Sequence, residues 1–178
     1  MKTKDPNNIK CRRVSLECRE EVLPNGIKMF VDRVVFPKSV AVLPIWRKER
    51  TTVLVRQYRP AVREWLLEAP AGTQKEGESP EEAALRELKE EAGLTTKELE
   101  RVNEGFVSPG YSTEYMTLFI AWDPEPSDGV PEPHEVLERL VVSLDEAFEL
   151  LRKGKIRDLK TMLLLMIARR RLDEETWR

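Results

Sequence analysis

The residues with the most evident chemistry lie between positions 72 and 94, GTQKEGESPEEAALRELKEEAGL. Seven glutamates (Glu76, Glu78, Glu81, Glu82, Glu87, Glu90 and Glu91) stand there against Lys75, Arg86 and Lys89, a net charge of −4. On a helix Glu87 and Glu91 are i and i+4, so they project one above the other with Glu90 beside them. Ala84, Leu88 and Ala92 would form the apolar stripe of that helix, and the two glutamates fall at its edge rather than on the solvated side. Half-buried carboxylates that repel one another require a cation, and an all-oxygen cluster suits Mg2+ or Mn2+. An acidic helix is more commonly a solvated face laced with Glu–Lys pairs. Glycines at 72, 77 and 93 shift the balance toward a ligand site, because a glycine-bracketed loop can bring backbone close to a bound group.

The elements that must position these carboxylates can be read around them. A helix is predicted over 80–92, with Ser79 as cap, Glu82 as its capping-box partner, Pro80 in the first helical position and Gly93 as the stop. Upstream, CRRVSLECRE (11–20) and IKMFVDRVVF (27–36) alternate as strands about the turn Pro24-Asn25-Gly26. SVAVLPIW (39–46) and TTVLVRQYRP (51–60) read as adjacent core strands joined by a charged turn. Strand patterns recur at 101–107, 115–122 and 137–144, and helical ones at 145–153 and 158–171, with a Pro/Gly/Asp-rich loop over 124–133. The whole is an α+β pattern.

Composition narrows the chemistry further. The 178 residues hold 30 Lys+Arg and 32 Asp+Glu, a net charge of −2, which excludes a nucleic-acid binder held by a uniformly basic surface. With 40% hydrophobic residues the chain can bury one substantial core, and its length fits one domain with a small appendage. One histidine, His134, and two cysteines, Cys11 and Cys18, cannot build a zinc site from His and Cys alone, and His134 is expected in an exposed loop without a catalytic role. The cysteines stand seven residues apart in what reads as one strand, too far for a disulfide, so they are expected as buried thiols in a reducing compartment. The longest apolar run, Met162–Ala168, is seven residues, and positions 1–10 are polar; a cytoplasmic protein without membrane or nucleic-acid partners is expected.

At each defined position the segment matches the Nudix box: Gly72, Glu78, Arg86, Glu87, Leu88, Glu90, Glu91, Gly93 and Leu94. The chain therefore resembles Nudix hydrolases. That resemblance implies an α/β/α sandwich with a mixed sheet, and cleavage of a nucleoside diphosphate linked to a further group. It places metal ligands at Glu87, Glu91 and the backbone carbonyl of Ala71, with Glu90 nearby, Arg86 orienting the carboxylates and Glu78 bracing the loop. Physical chemistry agrees, since an anionic diphosphate can approach this acid density only through divalent cations.

WLLEAPAG (65–72), Pro109 in SPGYSTE (108–114), RQYRP (56–60) and KIRDLKT (155–161) extend the likeness over roughly residues 37–165, toward the ADP-ribose pyrophosphatases. By that resemblance Arg56, Arg59 and Glu68 contact substrate, and Glu114 is the general base on a mobile loop, with Glu90 and Arg86 assisting. Residues 1–37 would be a small antiparallel β unit that builds a homodimer and helps enclose the adenine, with Phe30 or Trp46 stacking on the base; residues 38–178 would be the hydrolase domain. Phe36-Pro37-Lys38-Ser39 stands where many relatives carry His-Pro-Gly, so no contact carries over to that turn. The activity implied is Mg2+-dependent hydrolysis of ADP-ribose to AMP and ribose 5-phosphate. The alternatives are hydrolysis of another nucleoside diphosphate sugar, such as ADP-glucose or GDP-mannose, and a sensor that binds ADP-ribose without cleaving it.

Overall fold

Gly26 takes φ +81°, a conformation open to glycine, and the reversal it allows is closed by Leu23 N–H on the Ile27 carbonyl at 2.8 Å. Around it β1 (Asn8–Lys10), β2 (Ser15–Val22) and β3 (Lys28–Val35) form a three-stranded antiparallel sheet in that order. The computed structural model describes residues 8–11, 13–130 and 136–175, so His134 lies outside the described residues. The small sheet belongs to a first unit, Met1–Ser39 with Glu104–Met116, which adds a later segment to the 1–37 unit expected. That segment is stitched to β3 by Val34 N–H on Tyr111 O (2.8 Å) and Thr113 N–H on Val34 O (3.0 Å).

The cysteine expectation fails here. Cys11 lies in the turn between β1 and β2 and is exposed, while Cys18 lies on β2 opposite Asp32 and is only half-buried. A three-stranded sheet is a single layer with little interior, and Ile9, Leu16, Val22 and Phe30 on the Cys18 face are themselves exposed. The hydrogen bond and charge of Asp32 hold the Cys18 thiol above its ordinary pKa, so it stays protonated.

The second unit, Val40–Asn103 with Thr117–Arg178, contains the main core. A seven-stranded sheet includes β4 (Ser39–Trp46), β5 (Thr51–Arg59), β6 (Glu64–Glu68) and β7 (Ala71–Thr73). Beyond the helix α1 (Pro80–Glu87) come β8 (Leu94–Thr95), β9 (Glu98–Phe106), β10 (Tyr115–Trp122), β11 (Glu125–Pro126) and β12 (Leu137–Ser143). The sheet order is β12-β5-β4-β10-β9, with β6 beside β5 and β7 beside β4, while β11 pairs separately with β8. Helices α2 (Leu144–Arg152) and α3 (Leu159–Glu175) close the chain. No helix among the described residues is long and apolar enough to cross a membrane.

Helices cover both sheet faces. Val40, Val42, Val53, Phe119 and Ala121 pack with Ala83, Ala84, Leu88 and Ala92, the predicted stripe, and Trp46 lies partly buried against them. Side chains alternate along a strand, so Ala41, Leu43, Ile45 and Leu54 point the other way. On that side Arg56, Trp65 and Leu67 share a cleft with Leu150 of α2. The start of α1 is as predicted: Ser79 Oγ accepts Glu82 N–H (3.2 Å) and Ser79 N–H donates to Glu82 Oε2 (2.8 Å), with Pro80 next.

The helix predicted over 80–92 does not continue uniformly. After Glu87 it widens into a single π-turn, Leu88–Ala92, which Gly93 ends at φ +69°. A π-turn lets one more residue into the turn while keeping the buried stripe, so hydrophobic spacing cannot reveal it. The strand Glu64–Glu68 also lay unmarked in the sequence, because Trp65-Leu66-Leu67 is an apolar run without alternation.

Candidate active site

Glu87 and Glu91 are more deeply placed than the edge of a stripe implies, at 6% and 1% exposure. Two backbone features of β7 explain how. Gly72 has no side chain because a Cβ there would lie 2.0 Å from Glu87 Oε1. Its neighbour Ala71 donates its N–H to Glu91 Oε2 at 2.8 Å. A glycine and an amide thus form the wall against which the two carboxylates stand.

Arg86 ties the rest of the cluster together. Its Nε and Nη2 grip Glu78 at 2.8 and 3.1 Å, Nη1 reaches Glu87 Oε1 (2.6 Å) and Glu90 Oε2 (2.9 Å), and Nη2 also donates to the Thr73 carbonyl (3.0 Å). The Glu78 hydrogen bond is the main reason that the guanidinium pKa is raised, against the opposing effect of burial. Reciprocally, Arg86 holds the Glu78 carboxyl below its ordinary pKa, and Glu78 Oε2 also accepts Lys75 N–H at 2.9 Å. The structure therefore brings together Ala71, Gly72, Glu78, Arg86, Glu87, Glu90 and Glu91.

Among the described residues no three acidic, His or Cys side chains converge on a point. A cation here would draw on Glu87, Glu91 and backbone carbonyl oxygen, and complete its shell with water or substrate oxygens, which is the habit of Mg2+ rather than of a metal caged by protein. The donor set fits a hard divalent ion: it is all oxygen, nearly buried, and set in a segment carrying −4.

A second charged group lies on the same face of β5 and β6. Arg59 makes a bidentate pair with Glu68 (2.8 and 2.7 Å), Lys160 reaches Glu68 Oε2 at 2.5 Å, and Asp158 holds Lys160 at 2.8 Å. Burial would push the Glu68 carboxyl up, but Arg59 and Lys160 outweigh it and hold it at about 2. Burial likewise works against the Arg59 charge, and Glu68 first, then Glu91, raise its pKa instead. Asp158 Oδ2 also accepts Thr161 N–H (3.0 Å), and Thr161 Oγ1 accepts Ala69 N–H (2.7 Å). The start of α3 thereby grips the segment 68–69 that leads into β7.

Arg56 points to the opposite sheet face from Arg59, stacked 4.5 Å over Trp65 and paired with Glu138 at 3.1 Å. Phe30 and Glu114 belong to the first unit. Phe30 is 69% exposed on β3. Glu114 Oε1 accepts the Ser39 hydroxyl (2.9 Å) and its N–H donates to Ser112 Oγ (3.1 Å). Sequence reasoning missed Asp158, Lys160 and Thr161, although Asp158 three residues before Thr161 is a helix-cap pattern, and it missed Arg139, whose guanidinium meets the end of the π-turn.

A sheet between helices, carrying a glycine-backed acidic helix on one face, defines the class of fold that houses such a site. Residues 35–165 match the NUDIX domain, and the chain belongs to that family. It is 33% identical over 150 residues to the ADP-ribose pyrophosphatase of Bacillus subtilis (strain 168), covering 83% of this chain and 80% of that protein. It is 34% identical over 155 residues to the methanol dehydrogenase activator of Bacillus methanolicus (85% and 83% covered), and 39% identical over 138 residues to the GDP-mannose pyrophosphatase of Cronobacter sakazakii (strain ATCC BAA-894; 71% of each). The crystal structure of an ADP compounds hydrolase superposes with a TM-score of 0.82 at 25% identity, over 94% of this chain and 90% of that one. The Nudix fold with a small antiparallel N-terminal sheet, expected from sequence, is thus what the chain has.

Proposed function

We propose that the protein hydrolyses the diphosphate of ADP-ribose to AMP and ribose 5-phosphate with Mg2+, for which Mn2+ can substitute. The observation that carries this reading is the pair Glu87 and Glu91, nearly buried against Gly72 and the Ala71 amide, in a chain related over most of its length to an ADP-ribose pyrophosphatase. Glu87, Glu91 and the Ala71 carbonyl would hold the cation, which, when bound, screens the diphosphate charge and acidifies a water. Arg86 keeps Glu87 and Glu90 oriented. Arg59, fixed by Glu68 through Nε and Nη2, has Nη1 as its remaining arm toward a substrate oxygen. Phe30 is assigned to the adenine end and Glu114 to the general base, while Arg56, which faces away from Arg59 and stacks on Trp65, is left out of this assignment. Glu114→Gln should then lower kcat with little change in KM; an unchanged kcat removes Glu114 from that role.

Purified protein with Mg2+ and a panel of ADP-ribose, NADH, ADP-glucose and GDP-mannose tests the substrate. AMP and ribose 5-phosphate as the fastest-formed products support the reading. Faster GDP-mannose cleavage would move it to the second reading, which the Cronobacter sakazakii relative favours. Tight ADP-ribose binding without turnover would make the protein a sensor. We also infer a homodimer through the N-terminal sheet, since Ile9, Leu16, Val22 and Phe30 leave an exposed apolar face there, and a cytoplasmic setting suited to the free Cys11 and Cys18. Light scattering that finds a monomer at micromolar concentration would refute the dimer.

A further inference from the structure

We propose that Arg139, outside the motif, is a positioning residue for the cation site, because its guanidinium closes the carboxyl end of the turn that carries Glu90 and Glu91. The inference rests on the cation reading above. Arg139 stands on β12 opposite Val55, inside the β12–β5 ladder, on the sheet face that α1 and the π-turn cover. From there Nε donates to the Glu91 carbonyl at 2.7 Å and Nη2 to the Glu90 carbonyl at 3.0 Å. A helix ends with carbonyls that have no partner inside it, and a positive charge is favoured there. Lys89 O is met by Gly93 N–H at 3.0 Å; the next two carbonyls are met by Arg139.

Glu91 is consequently held at both ends, its carbonyl by Arg139 and its carboxylate by Ala71 N–H. The surrounding chain makes room for the guanidinium, which lies at the exposed edge of the turn. A Cβ at Gly93 would lie 2.7 Å from Arg139 Nη1, so the last glycine of the motif provides room for this side chain as well as a left-handed stop. Gly129 presses on the same turn: a Cβ there would lie 1.6 Å from Lys89 O, while its own carbonyl accepts Arg139 Nη2 at 3.1 Å. Ser127 N–H bonds the Gly93 carbonyl at 2.8 Å. A π-turn is the least regular part of the helix, and the planar fork of an arginine fixes two successive carbonyls where a lysine would fix one.

The test is direct Mn2+ binding, followed by loss of the free-ion electron paramagnetic resonance signal, for wild type, E91Q, R139Q, R139K and the control R152Q, a surface change on α2. R139Q should bind Mn2+ roughly 10-fold more weakly, R139K should recover part of the loss, and R152Q should match wild type. The near-ultraviolet circular dichroism of R139Q should stay native, and kcat at saturating metal should fall less than the metal affinity does. Wild type that binds no Mn2+, or E91Q that binds as well as wild type, sinks the cation reading and this proposal with it. R139Q that is folded and binds within about twofold of wild type sinks the proposal alone. Should R139Q not fold, R139K decides: native affinity overturns the assignment and weakened affinity upholds it.

Discussion

Glu68 and Glu91 are each 1% exposed, and Arg59 feels the charge of both, yet their surroundings differ in sign. Glu68 is enclosed by Arg59 and Lys160, with Asp158 behind the lysine, so its charge is neutralised by the protein itself. Glu91 sits with Glu87 and Glu90 on a segment carrying −4, where Arg86 is shared among Glu78, Glu87 and Glu90. Burying a carboxylate is costly unless it is paired and hydrogen-bonded. The fold meets that cost internally at Glu68 and leaves an excess of acid at Glu87 and Glu91. On the proposed cation reading, a buried glutamate enclosed by the protein's own cations maintains structure, and one crowded by other glutamates takes an ion from outside.

Removing each charge in turn separates the two. Glu91→Gln should lower kcat at least about 100-fold, beyond what the loss of a mere supporting partner of a ligand costs, while thermal stability holds or rises as like-charge repulsion is relieved. Steady-state kinetics and a melting curve on one preparation check both halves. A lower melting temperature with little loss of kcat would mean that Glu91, like Glu68, is structural. Glu68→Gln should do the reverse: about 3 kcal/mol of stability lost, because Arg59 and Lys160 are left without their anion, with a smaller fall in kcat than in the Glu91 variant. Denaturant unfolding measures it, and a loss below about 0.5 kcal/mol would end the contrast.

Acid offers a gentler version of the same experiment. Glu68 is held at about 2 in the folded chain against an ordinary 4.5, so it binds a proton more readily once unfolded. Its stabilisation is complete above about 4.5, and is lost as pH falls through that value toward about 2, amounting to about 3 kcal/mol. Denaturation midpoints should fall more steeply over this window in wild type than in Glu68→Gln. Parallel curves would assign the acid sensitivity to other carboxylates.

How much of this contrast could be read beforehand follows from the range of the forces involved. The acidic helix was legible because its signals are local: Ser79, Pro80, Glu82 and Gly93 act within a few residues, and Glu87 and Glu91 are placed by helical spacing. Gly72 was marked as a place of close approach, and the atom that approaches it is Glu87 Oε1, fifteen positions on. The enclosure of Glu68 was not legible. Arg59 and Lys160 come from β5 and the start of α3, and only the folded sheet brings them to β6. KIRDLKT was noticed as a resemblance without a role; the fold shows Asp158, Lys160 and Thr161 gripping 68–69. The π-turn and Arg139 escaped for related reasons, since a widened turn preserves the apolar stripe and the arginine arrives from a strand 48 residues beyond Glu91.

The smallest expected effect probes whether helix stability and site chemistry are separable along this one element. Ser79 caps α1 through Glu82, at the opposite end from the π-turn, and touches neither Glu87 nor Glu91. Ser79→Ala removes the side-chain acceptor for Glu82 N–H but leaves Pro80 and the buried Ala83 and Ala84 in place, so the helix should persist with about 1 kcal/mol less stability. For a chain of this length that corresponds to a melting temperature lower by roughly 2–4 °C. The carboxylates are fixed by Gly72, Ala71 and Arg86 rather than by the cap, so kcat and the Mg2+ dependence should match wild type. A weakened Mg2+ dependence in this variant would mean that the whole helix positions the ligands as a rigid rod, and that the contacts around its carboxyl end are secondary.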